Sequence, residues 1–460
     1  MATAKTTALF CRPRSGPRLR DGLSVTLYAW WRSRPFFPKV AEQHVANSDT
    51  EVVIVGGGAA GVAACRRLKD AGIGCLLIEA RERLGGRAWT IGDDPRCPID
   101  LGCGWLHSAD RNPWREIAEA QGRSIDRTPP PWMRPSASIG FPLSEQAAFQ
   151  DAREKFFARV ALAAEEARDI AAATLLDPNG RWNDLISATG TYVSGGELER
   201  VSALDLSRYD DSGVNWRVVE GYGTVIAAHG ADLPVALGRA VRRIDWRGRR
   251  LRVETTDGSI AADAAIVTLP SALLAEEAIV FTPSLPAKTE AAAGLPLGLA
   301  DKLFLSLADA GEFEKDSRLF GRTDQRATAT YHLRPFGRPQ IEAYFAATLA
   351  AELETAGEAA FLDFARAELV GLLGNDFARR IRPLHLHRWG VDPLSRGSYS
   401  YALPGKADCR AALAAPVDDR LFFAGEACSK SDYSTAHGAY LTGIAAADQA
   451  IAARRSKRAR

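Results

Sequence analysis

The sequence predicts an α/β fold: a largely parallel sheet flanked by helices, assembled from both ends of the chain, with an α+β domain inserted into it. Three observations carry this. Apolar strand segments of the kind buried on both faces recur near residues 52, 266 and 422. A glycine-rich turn follows the first of them and leads into a helix. Helical and alternating segments fill the span between. At 460 residues the chain exceeds one ordinary hydrophobic core, so two intertwined domains are expected.

In order, Glu51 to Val55 is a continuous β-branched run, Ala60 to Ala71 suits a helix packed closely on a sheet, and Gly74 to Glu79 returns as a second strand. Several helices are expected in the Ala-, Glu- and Arg-rich stretch from Leu143 to Leu176. Residues 238–258 alternate and carry turn residues, which reads as antiparallel β structure. Ala264 to Leu269 is another buried strand, Glu352 to Leu373 a helix, and Leu421 to Ala424 a last buried strand. A final helix is expected to run to about Ala453.

Composition excludes several classes. Apolar residues at 46% and charged residues at 25% are ordinary for a globular protein, and a net charge of +2 gives no case for nucleic acid. The positive charge of Arg12 to Arg34 and Arg454 to Arg460 reads as solvated ends. Seven cysteines, odd in number and without a C-x-x-C pair, argue against a disulfide framework or a metal site and fit a cytoplasmic protein. No apolar run reaches the roughly 18–20 residues needed to span a bilayer. Residues 1–48 show no period and read as a disordered or non-native-like extension, with an organelle-targeting peptide as the alternative.

The strongest local motif is Gly56-Gly57-Gly58-Ala59-Ala60-Gly61, which matches G-x-G-x-x-G between a strand and a helix. Gly56 permits a tight turn, Gly58 lets backbone approach a diphosphate, and Gly61 lets helix and strand pack closely. The helix start offers free N–H groups and a positive dipole end to that diphosphate. Glu79 ends the second strand, where it suits unphosphorylated ribose hydroxyls, so FAD or NAD rather than NADP. Ala80, Arg81, Gly85, Gly86 and Arg87 follow, placing two glycines and an arginine where a second phosphate could be met.

At this stretch the sequence resembles the flavin-containing amine oxidase family, whose members include monoamine oxidases, polyamine oxidases and histone lysine demethylases. The far end of the chain supports the resemblance. Gly425-Glu426 follows a buried strand, and Thr435-Ala436 opens the last helix. The family places the acid on a ribityl hydroxyl and directs the helix dipole at the flavin. Asp100 to His107, including Gly104 and Trp105, looks like the family's segment beside the flavin. Val241 sits where the family holds the adenine through backbone atoms. The implied architecture is an FAD-binding, Rossmann-like domain from residues 49–125, 210–290 and 390–455. Residues 126–209 and 291–389 then form the substrate domain, and 456–460 a basic tail.

The resemblance also implies chemistry. Lys302 falls where the family hydrogen-bonds flavin N5 through water, Tyr399 and Tyr440 where two tyrosines face each other beside the flavin, and Trp389 in the substrate-pocket segment. His107 could bind substrate or order water. Some members attach the flavin to a cysteine just before the first tyrosine. Here that residue is Ser398, so FAD is expected to be non-covalent. The implied activity is oxidation of a small-molecule amine by hydride transfer to the flavin. The imine would be hydrolysed to aldehyde plus amine or ammonia, and dioxygen reduced to hydrogen peroxide. The open alternatives are a desaturase or porphyrinogen oxidase acting on a non-amine, an L-amino-acid oxidase using Arg334, Arg338 or Arg388, and a low-turnover flavin-bound scaffold.

Overall fold

The structure, a computed structural model, describes residues 49–92 and 97–458. The expected extension over residues 1–48 lies outside the described residues. The first β-branched run forms the strand Asp49–Val55, with Val52, Val53 and Ile54 fully buried. It runs parallel to Cys75–Ile78 on one side and to Gly258–Val267 on the other. Both faces of such a strand are covered, which is why apolar residues follow one another without alternation. Val235–Ala236 extends the sheet beyond Cys75–Ile78, and Leu421–Phe423 pairs in parallel with Ala265 to Val267. That pairing brings the end of the chain into the sheet its beginning started. The expected antiparallel β structure is present as Val241–Asp245 against Leu251–Thr255, which in turn pairs with Gly258 to Ala262.

Two helices cover the glycine-turn end. Ala59–Asp70 and Ala436–Arg458 cross at small residues, and a Cβ on Gly443 would lie 2.2 Å from the Ala60 carbonyl oxygen. The last helix runs past the expected end at Ala453, to Arg458, because Arg454 pairs with Glu51 and Asp263 of the sheet.

A second sheet is wholly antiparallel, in the order Ser317–Phe320, Thr330–Leu333, Gln340–Ala346, Ala300–Leu307, Ile381–His387. One face buries Leu303, Leu305, Tyr331, Ile341 and Ala343 beneath the helices Ala347–Ala356 and Glu358–Leu373. The sequence suggested one helix there; Gly357, at φ +100°, breaks it in two. The stretch expected to hold several helices is one long helix, Leu143–Glu165, followed by a 3₁₀ turn at Ala172–Leu175. Phe141 packs edge-on against Phe320 and docks this helical layer on the second sheet.

Cys97 is disulfide-bonded, a bond the cysteine pattern did not suggest; Cys65, Cys75, Cys103, Cys409 and Cys428 are free. No helix among the described residues is long and apolar enough to cross a membrane.

Gly443→Ala should destabilise the protein by about 1–3 kcal/mol, since backbone must move to admit one methyl. Gly371→Ala, at an exposed helical position with nothing within 4 Å, should stabilise it by roughly 0.5–1 kcal/mol. Thermal unfolding of the two variants beside the parent checks both signs.

Candidate active site

The glycine turn divides its labour as the spacing implied. Gly56 has φ +106°, and a Cβ on Gly61 would lie 1.9 Å from the Gly56 carbonyl oxygen. Those two glycines serve the turn and the helix packing. A Cβ on Gly58 would meet nothing within 4 Å, so this glycine faces open space. The helix beyond it has no side-chain cap and no acid in its first turn, which leaves the donors of Ala59, Ala60 and Gly61 to a ligand.

Three strand ends converge on this turn. Glu79 accepts from Gly57 N–H at 2.6 Å and from Arg81 N–H at 2.7 Å; burial outweighs these bonds and raises its carboxyl above the ordinary range. Arg239 N–H and Gly238 N–H, just before Val241, donate to the carbonyls of Glu79 and Arg81. The Arg81 guanidinium turns instead to Asp392 and Ser395, at 2.9 and 3.0 Å. Gly85 N–H donates to Gly57 O, and a Cβ on Gly86 would lie 3.3 Å from Gly58 Cα, so the Gly85-Gly86-Arg87 loop stacks on the turn. Arg87 Nη1 then reaches Glu426 at 2.9 Å and Ser398 O at 2.6 Å. Glu426 also accepts from Ser400 Oγ at 2.7 Å and Ser434 N–H at 3.0 Å. Burial opposes its ionisation, but Arg87 and Ser400 hold it below the usual carboxylate range. The Thr435 hydroxyl accepts from Gly438 N–H and starts the last helix at Ala436.

Arg83 went unremarked in the sequence. It is buried, lies over the Trp89 ring at 4.3 Å, and has a buried Nη2 without a hydrogen-bond partner. Burial, then Arg81, brings its guanidinium down to about 9. An open glycine, uncapped helix donors, an acid at the strand end and a cation short of partners together fit the diphosphate and ribose of a dinucleotide.

Along the second sheet runs a cleft lined by Asp100, Gly104, Trp105, Arg217, Lys302, Phe336, Arg338 and Glu342 among others. Lys302 Nζ pairs with Glu342 at 3.0 Å and donates to Asp100 O at 3.3 Å. A Cβ on Gly104 would lie 3.6 Å from that Nζ. Glu342 is the site residue that sequence reading missed. Burial would raise its carboxyl, yet the charges of Lys302, His332 and Arg217 bring it below the ordinary value. Its signal was present: in Gln340-Ile341-Glu342-Ala343-Tyr344, every second residue shares the face on which Lys302 stands, and Lys302 lies opposite Tyr344.

The tyrosine pair does not form. Tyr440 lies one turn into the last helix, on the side facing Trp114 at 5.0 Å and His229 at 6.5 Å. Tyr399 instead shares a hydrogen bond with Tyr344 OH at 2.9 Å and donates to Tyr192 O at 2.7 Å. Trp389 is buried behind Lys302 rather than in the cleft. Its indole donates to Leu101 O, and its backbone N–H donates to Asp301. His107 hydrogen-bonds Asn215 at 2.7 Å, with Asp211 at 3.8 Å. His437, in the first turn of the last helix, pairs with Asp432.

Beside Lys302, Asp301 and Glu354 form a buried carboxyl pair that anchors the N–H groups of Trp389 and Gly390. Burial first, and Glu354 next, push the Asp301 carboxyl well above the usual range. Its second oxygen finds a partner only if the pair retains a proton.

Two predictions follow from this geometry. Gly58→Ala should leave the apoprotein's thermal stability unchanged while weakening FAD binding at least about tenfold, because the methyl fills the diphosphate's space; titration of apoprotein with FAD measures it. For Asp301, a raised folded-state pKa means that the native state holds a proton which the unfolded chain loses above about 3.9. This contribution is complete below that value and is lost as pH rises. Asp301→Asn donates to Glu354 with no proton to lose, so its stability relative to the parent should improve between about pH 5 and pH 8. A difference independent of pH in thermal unfolding would remove the shared proton.

Comparison with known proteins gives the arrangement a family. Residues 138–451 match the profile of the flavin containing amine oxidoreductases, and residues 54–120 that of an NAD(P)-binding Rossmann-like domain. The chain is 30% identical over 449 residues to polyamine oxidase 4 of Oryza sativa subsp. japonica, covering 87% of this chain and 88% of that protein. It is 27% identical to lysine-specific histone demethylase 1 homolog 2 of Arabidopsis thaliana, covering 90% of this chain and 60% of that protein. A solved putrescine oxidase variant shares the fold at a TM-score of 0.72 with 18% identity, over 88% of this chain and 99% of that one. The chain belongs to the flavin containing amine oxidoreductase family, and it is an FAD-dependent oxidoreductase that acts on amines.

Proposed function

We propose that the chain oxidises di- or polyamines, or related secondary amines, with non-covalent FAD and dioxygen. FAD held by the glycine turn, Glu79 and the Arg87–Glu426 pair would supply the two-electron chemistry: acceptance of a hydride equivalent from the amine's α-carbon and its return to dioxygen as hydrogen peroxide. The imine is then hydrolysed to an aldehyde and an amine or ammonia.

The observation that carries this reading is a run of aromatic and acidic side chains leading outward from Lys302. Trp105 lines the cleft with Lys302 and Glu342, and Trp132 packs on Trp105 at 4.5 Å. His107 lies 6.3 Å from Trp132, and Asp211 stands beside it. Burial works against the Asp211 charge, but the His107 ring 3.8 Å away and a hydrogen bond from Gly213 N–H prevail and hold its carboxyl down at about 2. Ring faces followed by an ionised carboxylate suit a substrate with a second ammonium group. Polyamine oxidases that align over most of this chain lean the same way.

The reacting nitrogen must be neutral, whereas a free alkyl amine titrates near lysine, about 10.4. The Lys302 ammonium and the desolvated floor both disfavour a second cation beside them. Glu342 keeps Lys302 in place from the neighbouring strand, and Lys302 can hold the water that attacks the imine. The Ser398 hydroxyl exchanges hydrogen bonds with the backbone of Ala300, both at 2.8 Å, so that position offers neither a thiol nor a free side chain to a flavin.

One further reading has an observation of its own. Arg338 lines the same cleft, over the Phe336 ring at 4.5 Å, with Nη1 and Nη2 donating to Pro98 O and Val219 O, so an amino acid's carboxylate would meet it in competition with those carbonyls. Arg334 and Arg388 are directed elsewhere, to Phe313 O and Glu354 O.

The test is an anaerobic panel of polyamines, diamines, monoamines and amino acids, followed by peroxide detection in air. Polyamines or diamines should bleach the flavin fastest and yield peroxide. Bleaching by amino acids alone would transfer the function to Arg338, and no bleaching at all would overturn the reading. Lys302→Met should retain FAD but slow reoxidation or product formation about 10²-fold. Acid precipitation should leave the yellow colour in solution; a coloured pellet would refute non-covalent attachment.

A further inference from the structure

Away from the cleft, the glycine-turn helix and the strand after it bring two thiols together. Cys65 lies on the buried side of Ala59–Asp70 with no exposed surface, while Cys75 opens Cys75–Ile78 and is partly exposed. Their sulfurs are 3.6 Å apart, and Cys75 Sγ is also 3.7 Å from Cys65 O. From this geometry we propose that Cys65 and Cys75 form a peroxide-reactive pair that closes to an intramolecular disulfide.

Access and charge set the order of events. Solvent reaches Cys75 and not Cys65. A hydrogen bond from Cys65 lowers the Cys75 thiol, against burial, with Lys69 assisting and Glu51 opposing. The same bond, together with burial, raises Cys65. The thiolate is the reactive form, so Cys75 attacks first. Its sulfur bonds one peroxide oxygen as the O–O bond breaks, and hydroxide leaves and takes up a proton to become water. Sulfur has then been oxidised by two electrons to a sulfenic acid, and peroxide reduced. Cys65 next loses its proton and attacks the Cys75 sulfur: the S–S bond forms, the S–O bond breaks, and a second water leaves. The sum is two thiols and one hydrogen peroxide giving one disulfide and two waters.

The two residues stand on adjoining elements with their side chains already turned to each other. Bringing the sulfurs to bonding distance, about 2.05 Å, takes side-chain rotation more than backbone displacement. Other described cysteines lack these conditions. Burial pushes Cys103 and Cys428 up to about 12, and it also raises the Cys409 thiol. The bond would close the turn from Ala71 to Gly74. It would tie the helix whose first turn faces the diphosphate to the strand that ends at Glu79. The oxidised form should therefore unfold at a higher temperature.

The inference stands on geometry and does not depend on the substrate reading, since the peroxide is supplied. Purified holoprotein is treated with increasing hydrogen peroxide, alkylated and digested with trypsin, which cuts after Arg66, Arg67 and Lys69 and so separates the two cysteines. The expected product is a Cys65–Cys75 linked peptide that appears before oxidation of Cys409 and disappears on reduction with dithiothreitol. Cys65→Ala should instead accumulate a Cys75 sulfenic acid captured by dimedone, and Cys75→Ala should leave Cys65 unmodified. If both thiols are still alkylated in the parent protein once Cys409 is oxidised, the proposal fails. Oxidation of Cys65 in Cys75→Ala at the parent's rate would defeat it as well. The parent-protein mapping needs no variant to fold.

Discussion

The ion pair between Arg87 and Glu426 holds the site in one piece. It joins residues 339 apart in sequence, and Glu426 is buried on every side. A buried carboxylate is costly unless its lone pairs are used. Here Arg87, Ser400 and Ser434 use them. Each partner belongs to a different segment: the loop stacked on the glycine turn, the stretch that holds Ser398 and Tyr399, and the approach to the last helix. Removing either charge would strand the other and release three segments at once. The parallel pairing of Leu421–Phe423 with Gly258–Val267 sets these segments near each other, and the ion pair fixes their registry.

The second sheet works by a different device. Its alternation sends Leu303, Leu305, Ile341 and Ala343 into a helical core and leaves Lys302, Phe304, Glu342 and Tyr344 facing the cleft. Charged residues on that inner face are tolerated because they answer each other across strands, as Lys302 and Glu342 do at 3.0 Å. A slip of one residue would put Ala343 opposite Lys302 and bury the glutamate in the helical layer. The Lys302–Glu342 pairing and correct folding of this sheet are therefore one requirement.

How legible the site was depended on how local its physics is. The glycine turn, Glu79 and the Gly85-Gly86-Arg87 loop could be read because strand, turn and helix follow within one short stretch, and each glycine answers a constraint from its near neighbours. Glu342 was missed because alternation marks the face it shares but not its partner, which is set by the register of two separate strands. Tyr440 was misplaced for an angular reason. Helical residues advance by about 100° each, so a residue only one or two positions from the site-facing one points to a different layer. The packing of Trp114, which donates to Ala436 O, decides that Tyr440 belongs to the core beside it. Trp389 was near the site in sequence and is near it in space, yet Asp301 and Leu101 hold it one layer behind.

That layer explains how a cleft of mixed charge keeps its shape. Lys302 faces the cleft, while its neighbour Asp301, on the opposite face of the strand, meets Glu354 where both are buried. Two carboxylates there cannot both ionise, so one proton stays, and with it the anchor for Trp389 and Gly390. The backbone that carries Ser398 and Tyr399 toward Arg87 begins at that anchor. Ser398 then returns to the same strand through both polar atoms of Ala300. Lys302 thus follows two fixed points of its own strand, Ala300 and Asp301, and Glu342 and Asp100 O place its ammonium within the cleft.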